Sequence, residues 1–117
     1  MSISAAHADA FVSEALAARK VWGIRDEAGF PTSTNPSGEI AMPFWSSERR
    51  AKKIADSVLA YEGFEPTPID LAAFIERWLP GLEKDGLRCG LNWSGERATG
   101  YDLRPSEVLA RLLASEA

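Results

Sequence analysis

The sequence predicts an α+β fold: a small, largely antiparallel sheet of four or five strands packed against about four helices. Three observations predict it. Residues 71–82 carry the strongest helical periodicity in the chain, with Leu71, Phe74, Ile75, Trp78, Leu79 and Leu82 recurring at helical spacing. Residues 87–93 alternate Leu87, Cys89, Leu91 and Trp93 with Arg88, Gly90 and Asn92, the period of a strand with one buried face. Finally, the segments run helix, two strands, helix, extended piece, helix, two strands, helix, an order that suits helices layered on a sheet. A chain of 117 residues with 45% hydrophobic content can bury a core without disulfide or metal staples, so residues 1–117 are read as a single globular domain.

Each element has a local cause. Ser4 is placed as the N-cap of a first helix over residues 5–19, whose Ala8, Phe11, Val12, Ala15 and Leu16 form a core-facing stripe. Residues 20–25, with Val21, Trp22 and Ile24, suit a strand, and Asp26-Glu27-Ala28-Gly29 supplies a turn after it. Residues 31–38, rich in Pro, Ser, Thr and Asn, read as the loop of a hairpin leading to a second strand over 39–45. Pro43 has no N–H to donate and therefore places that strand at an edge or shortens its ladder. Ser46 or Ser47 caps a second helix, which buries Ala51, Ile54, Ala55 and Val58 and turns most of Arg49, Arg50, Lys52 and Lys53 away from that stripe.

Pro66 and Pro68 leave residues 63–69 extended at best, a short edge strand. Asp70 is placed as the cap of the third helix, and Pro80-Gly81 is expected to kink or end it, with one further turn before a stop at Gly86. Residues 94–100 read as a hairpin loop after which Tyr101-Asp102-Leu103 pairs back on the preceding strand. Pro105 opens a last helix that buries Val108, Leu109, Leu112 and Leu113.

The chemistry is sparse. His7 is the only histidine and lies in the first helical turn, so it is read as solvated, and no His-based nucleophilic machinery can be assembled. Cys89 is a lone thiol on the inner side of a strand, read as buried and inert. One Cys and one His make no zinc site, and no cofactor or metal is expected. Gly90, Gly95 and Gly100 form no phosphate-binding or dinucleotide motif and are read as turn or strand-entry residues. Carboxylates such as Asp26, Glu27, Glu65, Asp70 and Asp102 lie near element ends, but no spacing among them specifies an acid–base pair. No catalytic residue is named.

A net charge of −4 argues against nucleic-acid binding, and no apolar run reaches the length of a membrane span. The N-terminus has no basic region followed by an apolar core, so a cytoplasmic location is expected. Asn92-Trp93-Ser94 has the form of a glycosylation acceptor, a reading that would require secretion.

The binding candidates converge on one corner, where the strand ending Pro43-Phe44-Trp45 runs into the helix start Ser46-Ser47-Glu48. Trp45 and Trp22 are candidate surface anchors, whereas Trp78 and Trp93 occupy core registers. Ser46, Ser47, Arg49 and Arg50, together with the free N–H groups of the helix start, are the candidate holders of an anion, with Glu48 competing for the same positive end.

Trp22 with Asp26 and Gly29-Phe30, the Pro43-Phe44-Trp45-Ser46-Ser47 box with Ala51, the run from Phe74 to Leu82, and Asn92-Trp93-Ser94-Gly95 with Gly100-Tyr101-Asp102-Leu103 resemble a small bacterial domain-of-unknown-function family, number 2750. The resemblance covers almost the whole chain and implies a stand-alone bacterial domain with no established activity and no catalytic residues to carry over. A fainter similarity, to the enhanced serine sensitivity proteins, rests on a strand ending in Pro and an aromatic joined to a helix beginning with Ser or Thr. It bears on the fold alone.

The leading functional expectation is a non-enzymatic cytosolic module that binds a protein or peptide partner around Trp45, as a monomer or weak homodimer. The alternatives are a toxin-neutralising immunity protein, suited by small size and acidic charge, and a small enzyme using a carboxylate pair.

Overall fold

In the computed structural model, residues 3–95 and 99–116 are described. Helix α1 spans Ile3–Ala18 and strand β1 Lys20–Arg25. Strands β2 (Ser33–Thr34) and β3 (Ile40–Phe44) follow, then helix α2 (Glu48–Ser57), a 3-10 turn over Leu59–Tyr61 and strand β4 (Glu65–Asp70). A continuous helical rod comes next: α3 (Leu71–Ala73), a π-helical stretch (Phe74–Trp78) and α4 (Leu79–Lys84). Strands β5 (Arg88–Ser94) and β6 (Thr99–Leu103) and helix α5 (Pro105–Glu116) complete the chain. The α+β class holds, with mostly antiparallel pairing.

Among the described residues the strands form a four-stranded sheet, β2-β3-β5-β6, and a two-stranded one, β1-β4. The β3–β5 pair is parallel; the other pairs are antiparallel. Trp22 and Trp45 join the two sheets by exchanging backbone hydrogen bonds, N–H to C=O, at 2.7 Å in each direction. The expected hairpin of β1 with β3 is therefore replaced. β1 instead pairs along its length with β4, while β2, inside the segment read as a loop, makes the hairpin with β3.

The prolines show why this arrangement is stable. Trp22 spends its N–H and C=O on Trp45, so its register partner Pro68, and by the two-residue period Pro66 opposite Ile24, direct their backbone away from β1, where no N–H is needed. The outer edge of β4 is thereby stripped of donors at both positions, which blunts it against further strand addition. Pro43 follows the same logic on β3. It shares the orientation of Trp45, away from β5, and β2 ends opposite Ala41, so its missing donor costs no bond even though β3 is an inner strand.

Helices cover both faces of the strand layer. One core gathers Phe11 and Val12 of α1, Phe44 and Leu91 of the strands, Phe74 and Leu79 of the helical rod, and Leu112 of α5. The other packs Ala51, Ile54 and Ala55 of α2 on Ile24, Ala41, Trp45 and Trp93. Alternation places Cys89 and Leu91 in the first core, as expected, but Trp93 in the second. The cause is a bulge in the β5–β6 ladder between Leu91 and Ser94, where Asn92 adopts a left-handed backbone with φ 50°. That extra residue turns Trp93 to the opposite face. There its ring lies over Gly90 and Gly100, where an added Cβ would come within 2.2 and 2.8 Å of the indole. These two glycines make room for a tryptophan; they are not turn residues. Trp93 Nε1 donates to Asp102 Oδ1 at 2.8 Å.

Other local expectations are revised. Ser4 lies within α1, not before it. Asp70 occupies the N-cap position of α3 but makes no capping bond with its side chain; the Leu71 N–H is taken by the Arg19 carbonyl at 3.0 Å. Pro80 does not end its helix. Its ring would crowd the carbonyl of Glu76, and the π-helical stretch just before it widens the rod there, so the helix continues to Lys84. Gly86 then stops it at φ +71°, with the Leu87 N–H on Leu82 O at 2.9 Å. Leu113 is 51% exposed and is not core. Of the loop expected over 94–100, residues 96–98 lie outside the described residues.

Candidate functional site

Trp45, the expected anchor, is fully buried, and its Nε1 donates to the Trp93 carbonyl at 2.8 Å. A ring enclosed in the second core and bonded to the next strand presents nothing to a partner. Trp22 is half-buried against the same core. The corner is thus a structural joint between the sheets.

Its hydroxyls divide the work. Ser47 is the N-cap of α2, its Oγ accepting the Arg50 N–H at 3.2 Å. Ser46, 1% exposed, instead enters a buried polar network. Its N–H donates to Asn92 Oδ1 at 2.9 Å, its Oγ accepts from Asn92 Nδ2 at 2.9 Å, and its hydroxyl donates to Glu14 Oε1 at 2.7 Å. Arg50 grips the same carboxylate with two donors, Nε to Oε1 at 2.9 Å and Nη2 to Oε2 at 2.8 Å. The anion expected at this corner is therefore the protein's own. Glu14 of α1 occupies Ser46 and Arg50, while Arg49 is exposed and takes no part.

The electrostatics agree. The Arg50 hydrogen bonds hold the Glu14 carboxyl below its ordinary value, and Glu14 in turn raises the Arg50 guanidinium. Both side chains are more than a third exposed, so the pair adds only about 0.5–1 kcal/mol.

Beside this network, at the C-terminal end of β5, opens a cavity of about 480 Å³. Its α2 wall is a single helix face, Arg50, Lys53, Ile54 and Ser57, at the i, i+3, i+4, i+7 spacing. The end of β5 gives Asn92, Trp93, Ser94 and Gly95, and α1 gives His7. The parallel strands β3 and β5 both point their carboxyl ends toward this region, the usual location of ligand sites in sheets with a parallel pair. Asn92 joins the parts, since its Nδ2 also donates to the His7 carbonyl at 3.3 Å. Being 1% exposed, it is closed off as a glycosylation acceptor in the folded chain.

Reading the sequence residue by residue missed Glu14, Asn92, Lys53 and His7. His7 is half-buried, not solvated, and its Nδ1 is buried without a hydrogen-bond partner among the described residues. One signal existed: Asn is unfavourable in a strand yet tolerant of φ > 0, a combination that suits a bulge. For Glu14 there is no local signal, because its partners lie 32 and 36 positions away.

Catalytic vocabulary is not gathered in this cavity. Cys89 is buried away from it, and desolvation pushes its thiol up to about 12. Asp102, raised chiefly by burial, is tied to Trp93 and lies outside the lining. Asp26, Glu27 and Glu65 do share another, more open depression, with Asp26 engaged in a turn with the Ala28 N–H. Among the described residues no group of three or more His, Cys, Asp or Glu side chains could hold a metal ion. No helix among them is long and apolar enough to cross a membrane.

The sequence profile described as "Protein of unknown function (DUF2750)" matches residues 8–112, and the chain belongs to that family. No curated protein and no solved structure is significantly similar. The fainter similarity to the enhanced serine sensitivity proteins is not borne out.

Proposed function

We propose that the protein is a non-enzymatic binding module whose recognition element is the cavity between His7, the Arg50–Ser57 face of α2 and the end of β5. One observation carries this reading: the floor of the cavity is a fully buried Asn92 held in a left-handed conformation at a bulge. Such strain persists where surrounding structure over-determines it, and it concentrates at binding sites. Here the surrounding structure is the Glu14–Ser46–Asn92 network, which fixes α1 against α2 and keeps the cavity open between them.

The ligand is read as a protein or peptide segment or a small molecule, with neither nucleic acid nor membrane as partner, in keeping with the charge of −4. A bacterial cytoplasmic setting fits a chain whose one thiol is free and buried. A monomer or weak homodimer is expected.

The test is a set of anionic, cationic and neutral fragments titrated into the 15N-labelled chain. Amide shifts gathered on residues 50–57 and 92–95 support the reading. Hits collecting instead on the depression around Met42, Trp78 and Leu87 would refute it.

A further inference from the structure

Charge divides the concave surfaces of the molecule. Four other depressions formed by the described residues each bear at least one carboxylate: Asp85 in one, Asp26 with Glu27 and Glu65 in another, Asp9 in a third, and Asp70 with Glu76 in a fourth. The cavity beside Asn92 bears none, although the chain as a whole is acidic. Its lining carries Arg50 and Lys53.

The two cations are not equivalent. Arg50 is matched by the Glu14 carboxylate through two hydrogen bonds, which commits Nε and one Nη and balances its charge. Lys53 has no ion pair among the described residues and stands one helical turn further along the same face. One cation is therefore uncompensated. Between them and the strand end, Ile54 and the edge of Trp93 give the cavity an apolar wall. About 480 Å³ is room for a small ligand or a terminal side chain, and not for an extended one.

Resting on the binding-module reading above, we propose that this cavity takes a single carboxylate borne on a compact apolar body, the carboxylate meeting Lys53 and the free edge of Arg50 and the body lying against Ile54 and Trp93. Among the described residues a cationic ligand would find no counter-charge in the lining. A phosphate dianion would find one uncompensated cation for two charges, with Glu14 behind the Arg50 guanidinium. A monocarboxylate matches the sum. Such a group is supplied either by a free organic acid or by the C-terminal residue of a peptide.

The experiment uses the full chain and amide shifts, with benzoate as the probe, benzamide as its neutral isostere, inorganic phosphate as the dianion and acetyl-Gly-Gly-Leu as the chain terminus. Expected are saturable benzoate shifts at Lys53, Asn92, Trp93 and Gly95, with benzamide at least about 5-fold weaker and phosphate weaker still. Lys53→Met should weaken benzoate by about 5-fold or more, Lys53→Arg should restore it, and both should keep the wild-type urea midpoint, since Lys53 is exposed. If acetyl-Gly-Gly-Leu binds at least 10-fold tighter than benzoate, the source is a chain terminus; if benzoate equals or exceeds it, the source is a free acid.

Equal binding of benzamide and benzoate, preference for phosphate, or full benzoate affinity in Lys53→Met each overturns the inference while leaving the cavity as a binding site. If benzoate leaves these amides unmoved, the inference also falls. The binding-module reading falls with it only if the mixed-charge fragments avoid the cavity too.

Discussion

Asn92 is the residue on which the site's geometry turns, and its replacement separates two physical contributions. In Asn92→Ala the Ser46 N–H, buried and bonded to Oδ1 at 2.9 Å, loses its acceptor, a desolvation cost of about 1–3 kcal/mol. The backbone adds little to it, because Asn92 already carries a Cβ at φ 50° and alanine inherits the same left-handed clash. Alanine should therefore cost about 1–3 kcal/mol, a sizeable share of the ~5–15 kcal/mol that holds a folded domain together. Asn92→Gly loses the same hydrogen bonds but relieves a clash of about 1–2 kcal/mol, so it should cost less. Urea unfolding followed by far-ultraviolet circular dichroism gives both values by linear extrapolation. Glycine should be the milder variant by about 1 kcal/mol. If alanine is the milder, or if alanine costs less than about 1 kcal/mol, Asn92 is neither strained nor a needed acceptor.

Four further outcomes follow from the same packing. Gly90→Ala drives a Cβ to 2.2 Å from the Trp93 ring and should cost about 1–3 kcal/mol or more, with red-shifted tryptophan fluorescence as the indole is displaced; unchanged emission would place the ring elsewhere. Trp45→Ala should cost about 3–5 kcal/mol in chemical denaturation, the signature of a core ring, and a loss near zero would return Trp45 to the surface. Glu14 has a folded value below its ordinary 4.5, so its stabilisation is complete above that pH and is lost as the pH falls through the lower folded value; Glu14→Gln should flatten that limb of the stability curve by about 0.5–1 kcal/mol. Asp102 has the opposite sign: burial raises it, so the folded state takes up the proton more readily, and Asp102→Asn, which can keep an acceptor for Trp93, should be neutral or stabilising at pH 7 by thermal melting.

What the sequence discloses about this fold follows the range of the interactions. β1 is legible because Val21, Trp22 and Ile24 declare a strand locally, and its limits are those observed, Lys20–Arg25. Its partner is not legible. Pro66 and Pro68 argue against a ladder when read alone, and they become compatible with one only when Trp22 is known to face Trp45. Trp93 shows the same limit from the other side, for strict alternation puts it beside Cys89 and Leu91 until a single left-handed residue inverts the face. The candidate site suffers most, being assembled from α1, α2 and β5, with its key bonds spanning 32 to 85 positions of chain.

The corner from Pro43 to Glu48 nevertheless has a consistent physical role. Because helices cover both faces of the sheet, the residue after the inward-facing Trp45, Ser46, also lies in the interior, where its N–H and hydroxyl need partners. β5 supplies one by bulging at Asn92, and α1 supplies the other in Glu14. The bulge that satisfies Ser46 also carries Trp93 across the sheet, and Trp93 in turn requires glycine at 90 and 100. Glu14, by neutralising Arg50, leaves Lys53 unmatched among the described residues on that face of α2. The polar demands of one buried serine thus account for the bulge, the glycines and the charge asymmetry of the cavity. A variant that removes the demand, Ser46→Ala, should then release Glu14 and Asn92 together, coupling non-additively to Asn92→Gly by about 0.5–3 kcal/mol in a double-mutant cycle; additive losses would mean that the network is a set of independent contacts.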